Sequence, residues 1–322
     1  MLSEWNGFIG QEALINRFTE LYQSGAMAHA YALCGPDGVG KLTLARAFAK
    51  MLLCTGETAK PPCGVCRSCR SFEMDSNPNY MQVSALTQKI GIEQIRALID
   101  DIATKPAFGR KVYVIEDGER MTPAAQNCLL KTLEEPPSYG VIFITTALYS
   151  SLLSTVRSRL VHLTLTPYRE EELKEVLKRG GIFFQGREYA LTYSGGIPGK
   201  AVEFLADSGF EETRRQVMDF VFAAESNAAS KAELNLYLSK NKQACNQALD
   251  ILMSVYRDAM LLLCSEEIRL INPDKKGKLL EYIKKHDRIE LANYIDRLEI
   301  MRNNLKHNLN YQLAVDMVTL IS

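Results

Sequence analysis

The chain has no surplus charge of either sign: 38 lysines and arginines stand against 38 aspartates and glutamates in 322 residues. That balance excludes a dominant electrostatic footprint for nucleic acid over the chain as a whole and leaves room only for a local basic patch or a shared channel. It has no uninterrupted apolar run of about 18 residues, which removes a membrane span. Its first residues, Met1-Leu2-Ser3-Glu4-Trp5-Asn6-Gly7, lack the charged and apolar regions of a signal peptide, so a cytoplasmic location is the expectation. Neither an internal repeat nor a low-complexity tract is present. With 47% apolar and 24% charged residues, the composition suits well-filled cores in two or three domains.

The most telling absence is a single oxygen. Gly35-Pro36-Asp37-Gly38-Val39-Gly40-Lys41 follows the apolar stretch Ala30–Cys34 and opens a helical pattern. This Gly-x4-Gly-Lys frame, with Gly35, Gly38, Gly40 and Lys41, cradles phosphate through backbone N–H groups and the lysine. A serine or threonine should come next to hold Mg²⁺, but the residue is Leu42. Thr43 lies about 100° further round the helix, at ~3.6 residues per turn, so its hydroxyl is no simple replacement. The residues leave open nucleotide binding without turnover.

Strand and helix patterns alternate through the first half. Apolar strands are expected at Ala30–Cys34, Tyr80–Val83, Val112–Ile115, Val141–Thr145 and Leu160–Leu165, the middle ones continuous enough to be buried and parallel. Ile92, Ile95, Leu98, Ile99 and Ile102 form one helical stripe that stops before Pro106. Thr122 and Pro123 read as N-cap and first residue of a helix carrying Leu129, Leu130 and Leu133, ended by Pro136-Pro137. Repeated βα units predict a parallel sheet with helices on both faces. After Pro167 the pattern turns helical, punctuated by Gly195-Gly196-Ile197-Pro198-Gly199, and from about Phe210 only helical periodicity remains, as in Ala248, Leu249, Leu252, Val255, Tyr256, Ala259 and Leu263.

Eight cysteines in a chain of this length, without a secretory signature, point to a reducing compartment. Cys34, Cys128, Cys245 and Cys264 fall on apolar patterns and are expected as small buried hydrophobes. Cys54, Cys63, Cys66 and Cys69 are different. Their spacing, x8, x2 and x2, lets four thiolates converge on one ion, a structural tetrahedral Zn²⁺ site. A redox dithiol and an iron–sulfur cluster are the rivals.

Val112–Ile115 ends in Glu116-Asp117, where nucleotide hydrolases place an acid for the metal shell and an acid for the attacking water. The usual order, Asp then Glu, is reversed here. Each swap displaces a carboxylate by about 1.5 Å, and errors of that size can cost about a hundredfold in rate. Thr145-Thr146 ends the next strand, either as a γ-phosphate sensor or as a solvated strand end. Ser158-Arg159 precedes the last strand; an arginine there is a solvated loop residue or one that stabilises a neighbour's transition state in trans.

Lys111–Met121, the run Asn127-Cys128-Leu129-Leu130-Lys131-Thr132-Leu133-Glu134-Glu135-Pro136-Pro137, His29-Ala30-Tyr31, the four-cysteine insertion and Ser158-Arg159 together resemble the bacterial clamp-loader subunits of DNA polymerase III, an AAA+ family. The resemblance covers residues 1–205; the last third matches only as an all-helical segment. It implies an α/β fold: an AAA+ P-loop parallel-sheet domain over 1–166 with a zinc module at 54–69, a small helical lid over 167–208, and an all-α collar over 209–322. It also implies a five-subunit, hetero-oligomeric ring that uses ATP to open the sliding beta clamp and place it on primed DNA, with gamma/tau and delta subunits as partners and no membrane.

A gamma/tau motor would be expected to have an intact hydroxyl, an Asp-Glu strand end and an arginine where Gly199 stands, with Lys200 beside it. By resemblance, then, the chain is a largely non-hydrolysing member that offers Arg159 as an arginine finger to a neighbouring gamma/tau ATP site. It belongs to a polymerase holoenzyme but has no polymerase activity and little or no ATPase of its own. Leu160 departs from the family's cysteine. The alternative is an ATP-hydrolysing motor subunit, motivated by Lys41 and Thr43. Lys275-Lys276-Gly277-Lys278 and Lys284-Lys285 raise direct DNA binding against a solvated helix face, with Glu281, Asp287 and Glu290 diluting the charge.

Overall fold

A computed structural model describes residues 4–5, 8–57, 61–106, 109–223, 228–265, 268–306, 315–316 and 318. Contacts divide the chain into two units: Met1–Arg179 with Ile197–Gly199, and Gly180–Gly196 with Lys200–Ser322. The boundary expected at 166 lies inside the first unit and the one expected at 208 inside the second.

The first unit opens with a short antiparallel pair, β1 (Glu4–Trp5) and β2 (Phe8–Ile9), and a helix, α1 (Glu12–Gln23). Five strands then form one parallel sheet: β3 (Ala30–Cys34), β4 (Tyr80–Val83), β5 (Lys111–Ile115), β6 (Gly140–Thr146) and β7 (Val161–Thr164), in the order β4-β5-β6-β3-β7. The inner strands are buried along their whole length, which explains their unbroken apolar runs; β4 and β7 are edges and only partly covered.

Between strands run α2 (Lys41–Leu53), α3 (Arg67–Glu73), α4 (Ile92–Ala103), α5 (Pro123–Glu134) and α6 (Ser154–Arg157), and α7 (Glu170–Arg179) follows the sheet. The signals at α5 are realised: the Ala125 N–H donates to Thr122 Oγ1 at 3.2 Å, and Pro123 occupies the first turn. Side chains alternate across the sheet. Ala30, Ala32 and Cys34 join Ile95, Leu98, Ile115, Leu129 and Leu133 on one face. On the other, Tyr31 and Phe143 meet Phe18 and Phe48, whose rings stack at 3.7 Å.

The second unit is helical among its described residues: α8 (Tyr189–Tyr193), most of α9 (Pro198–Ala206), α10 (Ser208–Val221), α11 (Ala228–Lys240), α12 (Lys242–Leu262), α13 (Lys276–Tyr282) and α14 (Arg288–Lys306). Ala248, Leu249, Leu252, Val255, Tyr256 and Ala259 are buried as the periodicity requires. The stripe ends one turn earlier than expected: Leu263 is 38% exposed, because the helix closes at Leu262. Cys264, expected inside, is exposed for the same reason, and Cys128 is half-buried; Cys34 and Cys245 are buried. A fully buried carboxylate, Asp258, organises the following segment. It accepts the N–H groups of Ile271 and Asn272 at 2.9 and 2.7 Å and the Asn272 side-chain amide at 3.0 Å. No described helix is long and apolar enough to cross a membrane.

Candidate functional site

The site lies beyond the carboxyl ends of β3, β5 and β6, where the strand order reverses, as ligand sites in open parallel sheets do. Gly38 and Gly40 have positive φ, 79° and 99°, which shape the loop before α2. Lys41 begins α2, is buried, and is fully engaged by its own loop. Its Nζ donates to Gly35 O at 2.9 Å, Pro36 O at 3.1 Å and Asp37 Oδ1 at 3.1 Å. Leu42 is half-buried and Thr43 exposed, the separation expected from one helical step.

Gly199 sits directly on this loop. Its N–H donates to Gly38 O at 2.9 Å, and a Cβ built on it would lie 2.6 Å from Gly38 Cα. The reciprocal Cβ on Gly38 would lie 2.9 Å from Gly199 Cα. The slot expected to have lost an arginine is therefore occupied by backbone against backbone.

At the neighbouring strand ends, the carboxylate of Glu116 accepts from Gln82 Nε2 at 3.0 Å. Asp117 is left-handed, with φ 51°, donates its N–H to Thr145 Oγ1 and pairs with Arg120 at 3.2 Å. The Thr146 hydroxyl accepts from the Leu148 N–H, and both threonines are buried. These hydroxyls hold local backbone, so neither is solvated. Oxygens of Asp37, Asp117 and Glu119 lie within 4.8 Å of one another, with Lys41 and Arg120 as counter-charges on the two aspartates. Cys34, at the end of β3, is an inert thiol that burial pushes up to about 11.

The two loop arginines differ. Arg157 lies over the Tyr149 ring at 5.7 Å. Arg159 is 33% exposed, its Nη2 on Glu134 Oε1 at 2.6 Å and its Nη1 on Thr155 O at 2.6 Å.

The four cysteines do come together. Ligand atoms of Cys54, Cys63, Cys66 and Cys69 lie within 4.8 Å of one another, so the donor set fits one tetrahedral ion. Backbone N–H groups point at the sulfurs: Cys63 to Cys54 and Cys66 to Cys63 at 3.3 Å, Cys69 to Cys66 at 3.4 Å. Burial raises the Cys66 thiol, but the Cys69 N–H and contacts from Thr55 outweigh it and lower it overall, whereas burial pushes the Cys69 thiol up to about 12. Gly56, which spacing alone does not single out, is required here: a Cβ would stand 2.6 Å from Cys63 Sγ.

The module is tied back to the sheet. Arg46, on α2, lies over the paired rings of Phe72 and Tyr80, donates to Asp75 at 2.6 Å and reaches Gln82, the residue that holds Glu116. Reading along the chain had missed Arg46, Gln82, Asp37 and Glu134. Their one visible signal is polarity beside a strand end or helix end. Of the basic run, Lys278 covers the Phe222 ring at 5.7 Å and Lys275 pairs with Asp274 at 3.5 Å.

A parallel sheet in this order, with a phosphate loop after the inner strand β3, threonines ending β6 beside it and acids ending β5, defines an AAA+ P-loop protein. A profile of the family described as DNA polymerase III, delta subunit, matches residues 10–169. The delta-prime subunit of Bacillus subtilis is 25% identical over 92% of this chain and 91% of its own length. That of Pseudomonas aeruginosa is 35% identical over 60% of each chain. The gamma subunit of a Buchnera aphidicola strain is 30% identical over 72% of this chain and 58% of its own. The chain belongs to the clamp-loader family of bacterial DNA polymerase III subunits. Against the gamma and tau relatives it spans only 25–58% of their length.

Proposed function

We propose that this chain is a delta-prime-type subunit: a ring member that hydrolyses little or no ATP itself and lends Arg159 to the ATP site of an adjoining gamma/tau subunit. In this reading gamma/tau and delta subunits are its partners. The assembled pentameric ring opens the beta clamp and places it on primed DNA in the cytoplasm, and residues 209–322 serve as the collar. The four cysteines hold a structural zinc.

One observation carries the reading: the phosphate loop satisfies itself. Lys41 is held by three acceptors within the loop and Gly199 covers Gly38, while Leu42 brings no oxygen for a metal. Arg159, two residues past a short helix, is one-third exposed, and that exposure supports service outside its own chain. Its guanidinium supplies positive charge in a planar fork suited to phosphoryl oxygens.

The test is reconstitution of the loader with variants of this chain, reading clamp- and DNA-stimulated ATPase. Arg159→Ala is expected to lower the rate while the ring still assembles. The dependent site would lose about 10³–10⁵-fold, and the total less, because other sites keep their own arginines. Lys41→Ala in this chain is expected to leave the rate unchanged. Appreciable hydrolysis by the isolated chain, abolished by Lys41→Ala, would establish the motor alternative.

A further inference from the structure

The clamp-loader reading gives no duty to Glu134, although it sits in the most distinctive run of the chain, Leu129–Pro137. We propose that Glu134 is a positioning residue for Arg159, setting the guanidinium for its work on the neighbouring subunit; the proposal rests on the arginine-finger reading above.

Glu134 is the last residue of α5, and a carboxylate there sits at the negative end of the helix, where it gains nothing from the helix itself. What it does gain is Arg159, at 2.6 Å. The guanidinium is gripped on two sides. One terminal nitrogen meets the carboxylate, and the other meets the Thr155 carbonyl and, at 3.2 Å, the Ser158 hydroxyl. A long side chain with several rotatable bonds is thereby held in one orientation before any partner arrives, which removes ordering cost from the later contact.

Both anchors are firm. Leu133, next to Glu134, is buried, its carbonyl accepts from His29 Nε2 at 3.0 Å, and Pro136-Pro137 stiffen the exit of the helix. Val156 and Leu160, on either side of Arg159, are buried as well. Glu134 itself is half exposed, 49%, so replacing it leaves the core alone. His29, the Leu-Glu-Glu-Pro-Pro run and Ser158-Arg159 thus become parts of one device.

The experiment uses the reconstituted loader containing wild type, Glu134→Ala, Glu134→Gln, Arg159→Ala or the Glu134→Ala/Arg159→Ala pair, with incorporation verified by gel filtration. Glu134→Ala is expected to lower kcat by roughly three- to tenfold at the dependent site, given that misplacement by an ångström costs about a hundredfold, with KM for ATP unchanged. Glu134→Gln, which keeps an acceptor for Nη2, should retain most of the rate. The double variant should match Arg159→Ala, because the first residue acts only through the second. Wild-type rates for Glu134→Ala beside a slow Arg159→Ala would overturn the positioning role and spare the finger. So would losses that multiply in the double variant. An unaffected Arg159→Ala would instead remove the finger reading.

Discussion

Two glycines facing each other hold more information than either shows alone. The lack of a hydroxyl at Leu42 is legible in the chain itself, and the expectation of an arginine at Gly199 comes only from the resemblance. That Gly199 rests on Gly38 is not legible, because close approach between distant glycines leaves no periodic trace. The contact leaves no space for a side chain, so Gly199→Ala is expected to lower thermal stability by about 1–3 kcal/mol, the usual cost of overpacking. Scanning calorimetry against an exposed control with open space and no positive φ, Gly277→Ala, checks it; an unchanged Tm would mean that the two backbones are not in contact.

A second residue-scale device is Glu172, whose carboxyl is held below the ordinary value of 4.5 by hydrogen bonds from the Arg169 side chain and N–H, against the opposing effect of burial. A lowered carboxyl stabilises the fold above its unfolded-state value, and the contribution is lost as pH falls through the lower folded value. Urea midpoints of wild type and Glu172→Gln should therefore differ by a constant amount above about pH 6 and converge below pH 4.5. A gap that widens in acid would contradict the assignment.

At the scale of elements, long periodic runs were legible and short ones were not. The stripes of α4 and α5, with the caps and prolines that bound α5, stand in the chain as they stand in the fold. The two-residue strands β1 and β2, four-residue α6 and seven-residue α3 are too short to show a period, and contacts define them. The convergence of the four cysteines was readable because their short spacings let the thiols meet; the N–H groups aimed at sulfur and the need for glycine at 56 were not.

α3 carries Cys69 and is capped by Cys66, and it is brief enough to depend on a bound ion under the zinc reading. The purified chain is expected to hold one equivalent of zinc by elemental analysis. A strong chelator should expose residues 54–75 to limited proteolysis while the sheet stays resistant. Visible iron–sulfur absorbance, or a chelated chain cut no faster than before, would refute a structural zinc.

On the scale of the whole chain, a parallel α/β half followed by helices was evident from the change of period after Pro167. The order of strands and the inclusion of Ile197–Gly199 in the first unit were not, since both depend on pairings between remote segments. The even balance of 38 against 38 charges suits the proposed role of a subunit that would meet DNA only through an assembly, because a molecule gripping phosphates alone needs a surplus of cations.

The contact of Gly199 with Gly38 also has a consequence for any change at this site. Under the reading proposed above, a hydroxyl at position 42 would gain nothing while the Gly199 backbone rests on Gly38, and withdrawing that backbone would gain nothing without the hydroxyl. Neither step alone is rewarded, so on that reading a subunit without ATP turnover of its own has no gradual road to acquiring it.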